Sequence, residues 1–278
     1  MKIRNFNFAW GKRTYIMGVL NVTPDSFSDG GSFNTVDTAI AQAKSMIDVG
    51  VDIIDIGGQS TRPGAEQITL TEELSRIIPV LAAVRSLTNI AISIDTTRAE
   101  VARAAIESGA DIINDISGGT FEPEIFKVVA DAGLPIVLMH IRGTPQTMQQ
   151  QRNTDYEDVI AAIISFLQEQ ITKALEIGIE REKIIIDPGI GFAKNLEQNL
   201  EILRRLPELR TLNCPILVGV SRKSFIGHIL NQPNPQERIW GTAAACCAAI
   251  FKGADIIRVH DVKEMRDVSL VTDAISRG

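Results

Sequence analysis

The sequence GVDII at residues 50–54 recurs as GADII at 109–113 and again as GADII at 253–257. In each copy a glycine follows a stretch with helical spacing, where it can end a helix at positive φ, and a β-branched run begins at once. The repeated pattern is therefore the junction between a helix and the strand that follows it. A chain built from repeated strand–helix units is the simplest arrangement that produces it.

Apolar runs typical of buried strands continue this pattern along the chain. We predict strands at residues 16–22, 52–57, 89–95, 111–116, 135–140, 184–187, 215–221 and 255–260. Helical spacing follows them at residues 35–49, 71–87, 97–108, 122–132, 155–177, 195–206, 236–251 and 262–276. Eight such units predict an α/β fold of the (β/α)8 TIM-barrel type, which takes about 250 residues.

A doubly wound sheet is the main alternative fold. It predicts a G-x-G-x-x-G turn after the first strand, and the sequence has no such turn there. Residues 1–15 precede the first unit, and we predict that they form a short β-hairpin, with a turn at Gly11, that closes the lower end of the barrel. We therefore assign residues 1–278 to a single domain.

Composition excludes several classes of function. The chain has 278 residues, a formal net charge of −6 and 45% hydrophobic residues, so we expect a soluble protein with a large core. The acidic balance argues against a nucleic-acid partner, and no apolar run reaches the roughly 18 residues that span a bilayer. Cys246 and Cys247 are adjacent in an alanine-rich helical run, which favours small core residues over a disulfide and predicts a cytoplasmic protein.

Polar side chains stand at the predicted carboxyl ends of the strands, where a barrel of this kind carries its active site. They are Asn21, Asp55, Asp95, Asn114, Asp115, His140, Asp187, Ser221, Lys223, Arg258 and His260. Because side chains alternate along a strand, Asp95 and Arg258 are expected to point into the barrel. Thr97 begins TRAE and is expected to cap the next helix, which leaves Asp95 without a structural task.

Positive side chains gather at this rim although the protein is acidic. Lys223 follows one strand, Arg62 lies in the turn STRPG after another, and Arg258 and His260 end the last strand. Such a cluster indicates a site for a dianion or diphosphate, to which Thr61 adds a hydroxyl group. A structural ion pair between Arg258 and an interior aspartate is the alternative interpretation.

The polar side chains Asp95, Asn114 and Asp187 suit a different part of a ligand. Two carboxylates and an amide match a flat heterocycle with several ring N–H donors. Ordinary turn hydrogen bonds are the alternative for Asn114 and Asp187. A zinc site is not indicated, but a diphosphate commonly brings Mg²⁺, which needs only one or two protein oxygens. Asn21, at the end of the first strand, is placed to give one.

Two long connections follow the first two strands. Their sequences, TPDSFSDGGSFN and GGQSTRPGAEQIT, have the composition of lids or binding loops. Phe27 and Pro63 would then be apolar contacts that reach the ligand when the loops close. A surface loop without a binding role is the alternative.

Taken together, the motifs identify a known family. The segments MGVLNVTPDSFSDGG, DIGGQSTRPGA, SIDT, INDISGG, LMHIRGTP, DPGIGFAK, GVSRKSFIG and RVHDV, in this order, closely resemble the dihydropteroate synthases. The resemblance runs from Met17 to the C-terminal helix. It implies a transferase of folate biosynthesis that joins 4-aminobenzoate to 6-hydroxymethyl-7,8-dihydropterin diphosphate, giving 7,8-dihydropteroate and diphosphate. It also implies a Mg²⁺ cofactor and a homodimer.

The resemblance assigns a role to each matching residue. The residues expected to bind the pterin are Asp95, Asn114, Asp187 and Lys223. Those expected to bind the diphosphate are Thr61, Arg62, Arg258 and His260. The expected aminobenzoate pocket consists of Phe27, Pro63, Phe192 and Ser224. Asn21 is the expected Mg²⁺ ligand, and the expected catalytic residues are Asp95, Lys223 and Arg258.

Two residues depart from the family pattern. Gln59 stands where glutamate is common in GGESTRPG, and Ile141 replaces a usual methionine. Neither change removes a group assigned to the chemistry, and we expect Gln59 to be tolerated. Another pterin-binding barrel, such as a methyltetrahydrofolate methyltransferase, is the alternative enzyme, but that chemistry needs no diphosphate site. A pterin-binding module without catalysis is the alternative outside enzymes.

Overall fold

Eight parallel strands form a nearly closed barrel in the computed structural model, which describes residues 1–23 and 32–277. The barrel strands are β3 (Tyr15–Asn21), β4 (Ile53–Gly57), β5 (Ala91–Asp95), β6 (Ile112–Asp115), β7 (Ile136–Met139), β8 (Ile184–Asp187), β9 (Leu217–Val218) and β10 (Ile256–Val259). They pair in the order β8-β7-β6-β5-β4-β3-β10-β9, and an isolated bridge between Ile186 and Ile216 joins the two ends. The predicted (β/α)8 barrel is confirmed.

Helices surround the barrel. They are α1 (Ser32–Asp48), α2 (Leu70–Leu87), α3 (Ala99–Glu107), α4 (Glu124–Ala132), α5 (Gln151–Thr154), α6 (Val159–Ile177), α7 (Leu196–Arg205), α8 (Ser224–Leu230), α9 (Ile239–Phe251) and α10 (Val262–Ser276). The sequence did not predict α5 or α8, since both are too short to show a helical period. None of the helices described combines the length and the apolar character needed to span a bilayer.

Side-chain alternation divides the apolar residues into two layers. The interior layer takes one residue from the lower part of each strand: Met17, Ile53, Ala91, Ile112, Val137, Ile185, Leu217 and Ile256. Their neighbours in the chain, such as Ile92 and Ile257, pack outward against the helices. The interior is therefore filled with side chains below the carboxyl ends of the strands.

The N-terminal hairpin closes the lower end. It consists of β1 (Lys2–Ile3) and β2 (Phe6–Asn7), which pair antiparallel. Ile3 and Phe8 join the interior layer. The turn between the strands lies at Arg4, which has φ +50°. The predicted turn at Gly11 is present but follows the hairpin: Gly11 has φ +75°, and Lys12 N–H donates to Ala9 O at 3.2 Å. Gly11 also donates its N–H to Asp255 Oδ1 at 2.9 Å, which anchors the segment that leads into β3.

The aspartates of the repeated motif bind the backbone of the neighbouring strand segment. The bonds run from Ile16 N–H to Asp52 (2.8 Å), from Ile92 N–H to Asp111 (2.9 Å) and from Ile216 N–H to Asp255 (3.0 Å). Each N–H lies close to the lower end of the barrel, where the sheet ladder begins. The repeated acidic residue thus links adjacent units of the barrel.

Candidate active site

One register layer crosses four strands at the upper end of the barrel. Asn21 pairs with Gly57, Gly57 with Asp95, and Asp95 with Asn114. Gly57 keeps this layer open, because a Cβ there would lie 3.4 Å from Asp95 Cβ and 3.8 Å from Asn21 Oδ1. Any longer side chain would fill the space between the amide and the carboxylate.

Arg258 points into the barrel and binds two carboxylates. Its Nε donates to Asp55 Oδ2 at 2.6 Å, and its Nη2 donates to Asp95 Oδ2 at 2.7 Å. The arginine side chain is 22% exposed, against 0% for Asp55 and 8% for Asp95. Asn114 Nδ2 also donates to Asp55, at 3.2 Å. The interior ion pair considered as an alternative is therefore present, and its arginine still reaches solvent at the mouth.

The charges of this pair stabilise each other. Burial lowers the pKa of Arg258, but Asp55 and Asp95 outweigh burial and keep it above its ordinary value. Burial also raises the pKa of Asp95, while Arg258 opposes that rise. Only the ionised carboxylate of Asp95 attracts a cation. The Arg258 guanidinium favours this ionised form, in which Asp95 can accept hydrogen bonds with both oxygens.

Asp95 thus has a structural partner, contrary to the expectation from the TRAE motif. Helix α3 begins at Ala99, and Thr97 does not cap it. The preceding residue, Thr96, accepts the Arg98 N–H at 3.2 Å and donates to Glu73 Oε1 at 2.7 Å. The prediction was wrong because the cap position falls at Arg98, one residue after Thr97.

Asp187 and Lys223 lie in the same electrostatic cluster. Asp187 Oδ1 accepts the Gly189 N–H at 2.7 Å, and burial raises the pKa of Asp187 to about 6. Burial lowers the pKa of Lys223 to about 8; Arg258 lowers it further, while Asp187 opposes the shift. Lys223 Nζ also lies 4.3 Å from the centroid of the Phe192 ring. A half-buried lysine beside a buried carboxylate can donate to a polar ligand that reaches both.

His260 is a neutral imidazole at this rim. Its Nδ1 lies 3.0 Å from Ser221 Oγ, and its backbone N–H donates to the same oxygen at 3.2 Å. Burial and the positive charge of Arg258 lower the pKa of His260 to about 3. His260 is therefore a hydrogen-bonding group near neutral pH and does not add to the positive charge of the rim.

The loop after β4 carries Thr61, Arg62 and Pro63. Arg62 is exposed, and no other described residue forms a hydrogen bond or ion pair with its guanidinium. Gly64 N–H donates to Pro145 O at 3.0 Å, which ties this loop to the segment after β7. Within the described ranges no hydrogen bond or ion pair connects Thr61 or Arg62 to Arg258. The predicted residue Phe27 lies outside the described residues.

Lys194 was missed by the sequence reasoning. Its side chain is buried, and its Nζ contacts Phe192 O at 2.8 Å and His140 Nδ1 at 3.0 Å. Burial lowers the pKa of Lys194 well below its ordinary value, while Asp187 opposes the shift. A lysine directly after the apolar run GIGFA was the available signal, since a solvated lysine would seldom follow a buried segment.

The upper rim offers one amide oxygen that suits a magnesium ion. Among the described residues no group of three histidine, cysteine or acidic side chains forms a metal cage. Asn21 is half buried, and its side chain has no hydrogen-bond partner in the part of the chain that the structure describes. Mg²⁺ keeps most of its waters and takes only one or two protein oxygens, so a single free amide oxygen fits this ion better than zinc.

A (β/α)8 barrel with charged side chains at the carboxyl ends of its strands defines a broad class of enzymes. Comparison with known families identifies which of these enzymes the chain is related to. The model of the family described as pterin binding enzyme matches residues 17–260. The chain belongs to this pterin-binding enzyme family.

The relatives are more specific. The dihydropteroate synthase of Synechocystis sp. is 62% identical over 270 residues, which cover 97% of this chain and 93% of the relative. A solved dihydropteroate synthase from Clostridium difficile, determined in the presence of pteroic acid, has a TM-score of 0.92 and 46% identity, covering 98% of this chain and all of that one. The Xanthomonas albilineans enzyme in complex with 7,8-dihydropteroate has a TM-score of 0.86 and 38% identity, covering 96% and 95% of the two chains.

Proposed function

We infer that this chain is a transferase of folate biosynthesis. It joins 4-aminobenzoate to 6-hydroxymethyl-7,8-dihydropterin diphosphate and forms 7,8-dihydropteroate and diphosphate. The observation that carries this conclusion is the convergence of Asp95, Asp187, Lys223 and Arg258 in one buried cluster at the barrel mouth, in a chain 62% identical to a dihydropteroate synthase.

The pterin is held by four side chains in this proposal. Asp95, Asn114 and Asp187 accept from the ring and amino N–H groups, and Lys223 donates to a ring acceptor. The support is chemical, because two carboxylates and an amide at the same end of the barrel match a ring edge that carries several donors. Asp187 keeps Oδ2 for this purpose, since the hydrogen bond that its side chain forms within the described residues, from the Gly189 N–H, uses Oδ1.

The diphosphate is bound above the pterin by Thr61, Arg62, Arg258 and His260. Arg62 is an exposed cation with no partner among the described residues, so it can bind an anion without breaking an ion pair. Arg258 uses Nε and Nη2 on its two carboxylates and retains donors at Nη1. The neutral His260 ring supplies a hydrogen bond and no charge.

The aminobenzoate pocket lies beside the loop after β8. Phe192 is buried under the Lys223 ammonium, and Ser224 is exposed at the first residue of α8. Pro63, on the loop after β4, is exposed and can cover the aromatic ring from the other side. We assign the apolar contacts of the second substrate to these residues together with Phe27.

The reaction begins with loss of diphosphate. The carbon–oxygen bond of the pterin methylene breaks, the diphosphate leaves with the bonding electrons, and a cation delocalised over the pterin ring remains. The amine nitrogen of 4-aminobenzoate then attacks the methylene carbon and loses a proton. Asp95 and Asp187 stabilise the positive ring, and Arg62 and Arg258 stabilise the departing anion, as fixed charges that need no rearrangement.

Magnesium is the proposed cofactor, and Asn21 is its proposed protein ligand. When bound, the ion neutralises charge on the leaving diphosphate. The side chains of the protein orient the two parts of the substrate, with the pterin inside the upper end of the barrel and the diphosphate above it. This assignment rests on the Asn21 amide, which has no hydrogen-bond partner among the described residues and lies beside the open space at Gly57.

A coupled assay tests the activity. Purified protein with both substrates and Mg²⁺ is expected to form dihydropteroate and diphosphate in equal amounts. Loss of diphosphate without added amine would support departure before attack, whereas its complete absence would favour a concerted displacement. Pterin binding without any diphosphate release would overturn the enzymatic proposal in favour of a binding module.

We also propose a cytoplasmic homodimer. A patch of exposed apolar side chains lies on α9 and α10, and its members are Trp240, Phe251, Leu270, Val271 and Ile275. Trp240 is 81% exposed, and a soluble monomer seldom exposes such a group of large apolar residues. The three unpaired cysteines fit a reducing compartment. Sedimentation velocity tests the dimer, and a one-chain mass at micromolar concentration would contradict it.

A further inference from the structure

Gln59 holds the loop after β4 with its side chain. Its Nε2 donates to Ser60 O at 2.8 Å and to Glu66 O at 2.9 Å, and its Oε1 accepts the Ile68 N–H at 2.8 Å. These three bonds reach both arms of the loop at residues 60–68. The side chain therefore closes the loop from inside, as a backbone turn would.

The other described anchors hold the tip and the outer arm of the loop. Ala65 N–H donates to Arg62 O at 3.1 Å, which closes the turn at the tip. Arg98 Nη2 donates to Ile68 O at 2.5 Å, which fixes the arm next to α2. Gly64 N–H donates to Pro145 O, which ties the tip to another loop. Among the described residues, Gln59 is the side chain whose hydrogen bonds join the arm before Thr61 to the arm after Pro63.

Only an amide can make this set of bonds. Glutamine offers two N–H donors and one carbonyl acceptor, whereas an ionised glutamate only accepts. A carboxylate at position 59 would keep the bond from Ile68 N–H but would place an oxygen against the carbonyl oxygens of Ser60 and Glu66. Each of those contacts is now shorter than 3.0 Å as a hydrogen bond and would become repulsive.

We propose that Gln59 is a positioning residue, which holds the loop in the shape that presents Thr61 and Arg62 to the diphosphate of the substrate. This inference rests on the proposed function. The side-chain amide of Gln59 holds the loop, at a position where the resemblance to the family predicts a glutamate. The loop of this chain is thus shaped before the substrate arrives, and binding does not have to order it.

The test compares two ligands that differ only in the diphosphate. Calorimetry with 6-hydroxymethyl-7,8-dihydropterin diphosphate and with the same pterin lacking the diphosphate is done on wild type, Gln59→Glu and Gln59→Met. Both variants are expected to bind the diphosphate ligand about tenfold more weakly, in line with the loss of two or three neutral hydrogen bonds. The affinity for the pterin alone should stay within twofold.

Gln198→Glu is the matched control. Gln198 also bridges two backbone groups, since it accepts the Asn195 N–H at 2.9 Å and donates to Thr154 O at 2.7 Å. This variant makes the same charge change on α7, far along the chain from the loop. It is expected to bind both ligands as wild type does.

Three results separate the possibilities. Unchanged diphosphate affinity in both Gln59 variants would overturn the positioning role, and an equal loss of affinity for both ligands would overturn its link to the diphosphate. Failure of the wild-type protein to bind either ligand would instead contradict the proposed function. Faster hydrogen exchange of the Ile68 amide in Gln59→Met, with an unchanged melting temperature, would show that the variant folds and that the loop has loosened.

Discussion

Strand β4 and the junction before it carry two aspartates with opposite surroundings. Asp52, just before the strand, accepts the Ile16 N–H and two hydrogen bonds from the Arg13 guanidinium. Asp55, inside the strand, binds Arg258 and Asn114 through Oδ2, while its buried Oδ1 has no hydrogen-bond partner in the described part of the chain. Asp52 and Asp55 are only three positions apart, yet Asp52 joins two strands and Asp55 is held by side chains of the site.

The same contrast separates the two ends of the barrel. At the lower end Asp111 binds Arg4, Arg85 and the Ile92 N–H, so its oxygens are fully used by the structure. At the upper end Arg258 is the one side chain of residues 1–23 and 32–277 that forms a hydrogen bond with the Asp95 carboxylate. Burial without full hydrogen bonding costs stability, which is acceptable where the spare acceptor binds a ligand. The buried charge pairs of Asp111 at the lower end should therefore contribute to stability and not to turnover.

The largest effect is expected from Arg258→Ala. This change removes the proposed contact to the leaving diphosphate and leaves Asp55 and Asp95 buried without their cation. We expect kcat/KM to fall by at least 100-fold, about 3 kcal/mol of transition-state stabilisation, together with a lower melting temperature. Steady-state kinetics and thermal unfolding measure the two effects.

Arg13→Ala is the control at the other end. Arg13 also binds an aspartate, but half of its side chain is exposed, so its loss should leave kcat/KM unchanged and stability nearly so. A similar loss of activity in both variants would mean that the two ends of the barrel do not differ in function.

An intermediate effect is expected from Asp111→Ala at the lower end. The variant loses the Ile92 N–H acceptor and leaves two arginines without their partner. We expect a loss of about 2 kcal/mol in the free energy of unfolding, with kcat/KM within twofold of wild type. Urea unfolding and the coupled assay decide the matter; a marked loss of turnover at full stability would contradict the division of tasks.

The smallest effect on stability is expected from Asp187→Asn, which should make the protein more stable, whereas Arg258→Ala and Asp111→Ala make it less stable. Burial raises the folded pKa of Asp187 to about 6, above the ordinary value of 3.8. The folded protein therefore binds a proton more readily than the unfolded chain, and this group makes stability fall as pH rises from about 4 to about 6. The neutral variant should gain about 1 kcal/mol at pH 7.5 relative to wild type.

The same variant should bind the pterin more weakly. The amide supplies a donor where the ligand offers donors, and we expect about a tenfold loss of affinity by calorimetry. Wild-type affinity should also decline as the pH falls below about 6, when Asp187 takes up a proton. An Asp187→Asn protein that binds the pterin normally, or that is less stable at pH 7.5, would remove Asp187 from the spare acceptors of the upper end.

The sequence predicts the barrel well because its signals are local. Glycine junctions, apolar runs and alternation each depend on a few neighbouring residues, and they correctly place Asp95 and Arg258 on the inward face. The partner of Arg258 was beyond this reasoning, since 203 and 163 residues separate it from Asp55 and Asp95. Which of several strand-end carboxylates meets it depends on the register of the closed sheet.

The sequence did not predict three smaller features, because each depends on residues that are distant along the chain. The two-residue strand β9 stands where a run at 215–221 was predicted, because backbone pairing there depends on neighbours distant in the chain. The buried Lys194 depends on the carbonyl of Phe192 and the ring of His140, which only the folded loops bring together. The charge of His260 could not be read either, since its pKa is set by burial and by Arg258.

The joint between β8 and β9 is the thinnest part of the barrel wall, with one isolated bridge at Ile186 and Ile216. Asp187 follows on one side of this joint, and Lys223 follows on the other. A heterocycle bound by both side chains would connect β8 to β9, where the backbone of the described residues forms a single isolated bridge. Ligand binding would then stabilise the closed barrel against separation of these two strands.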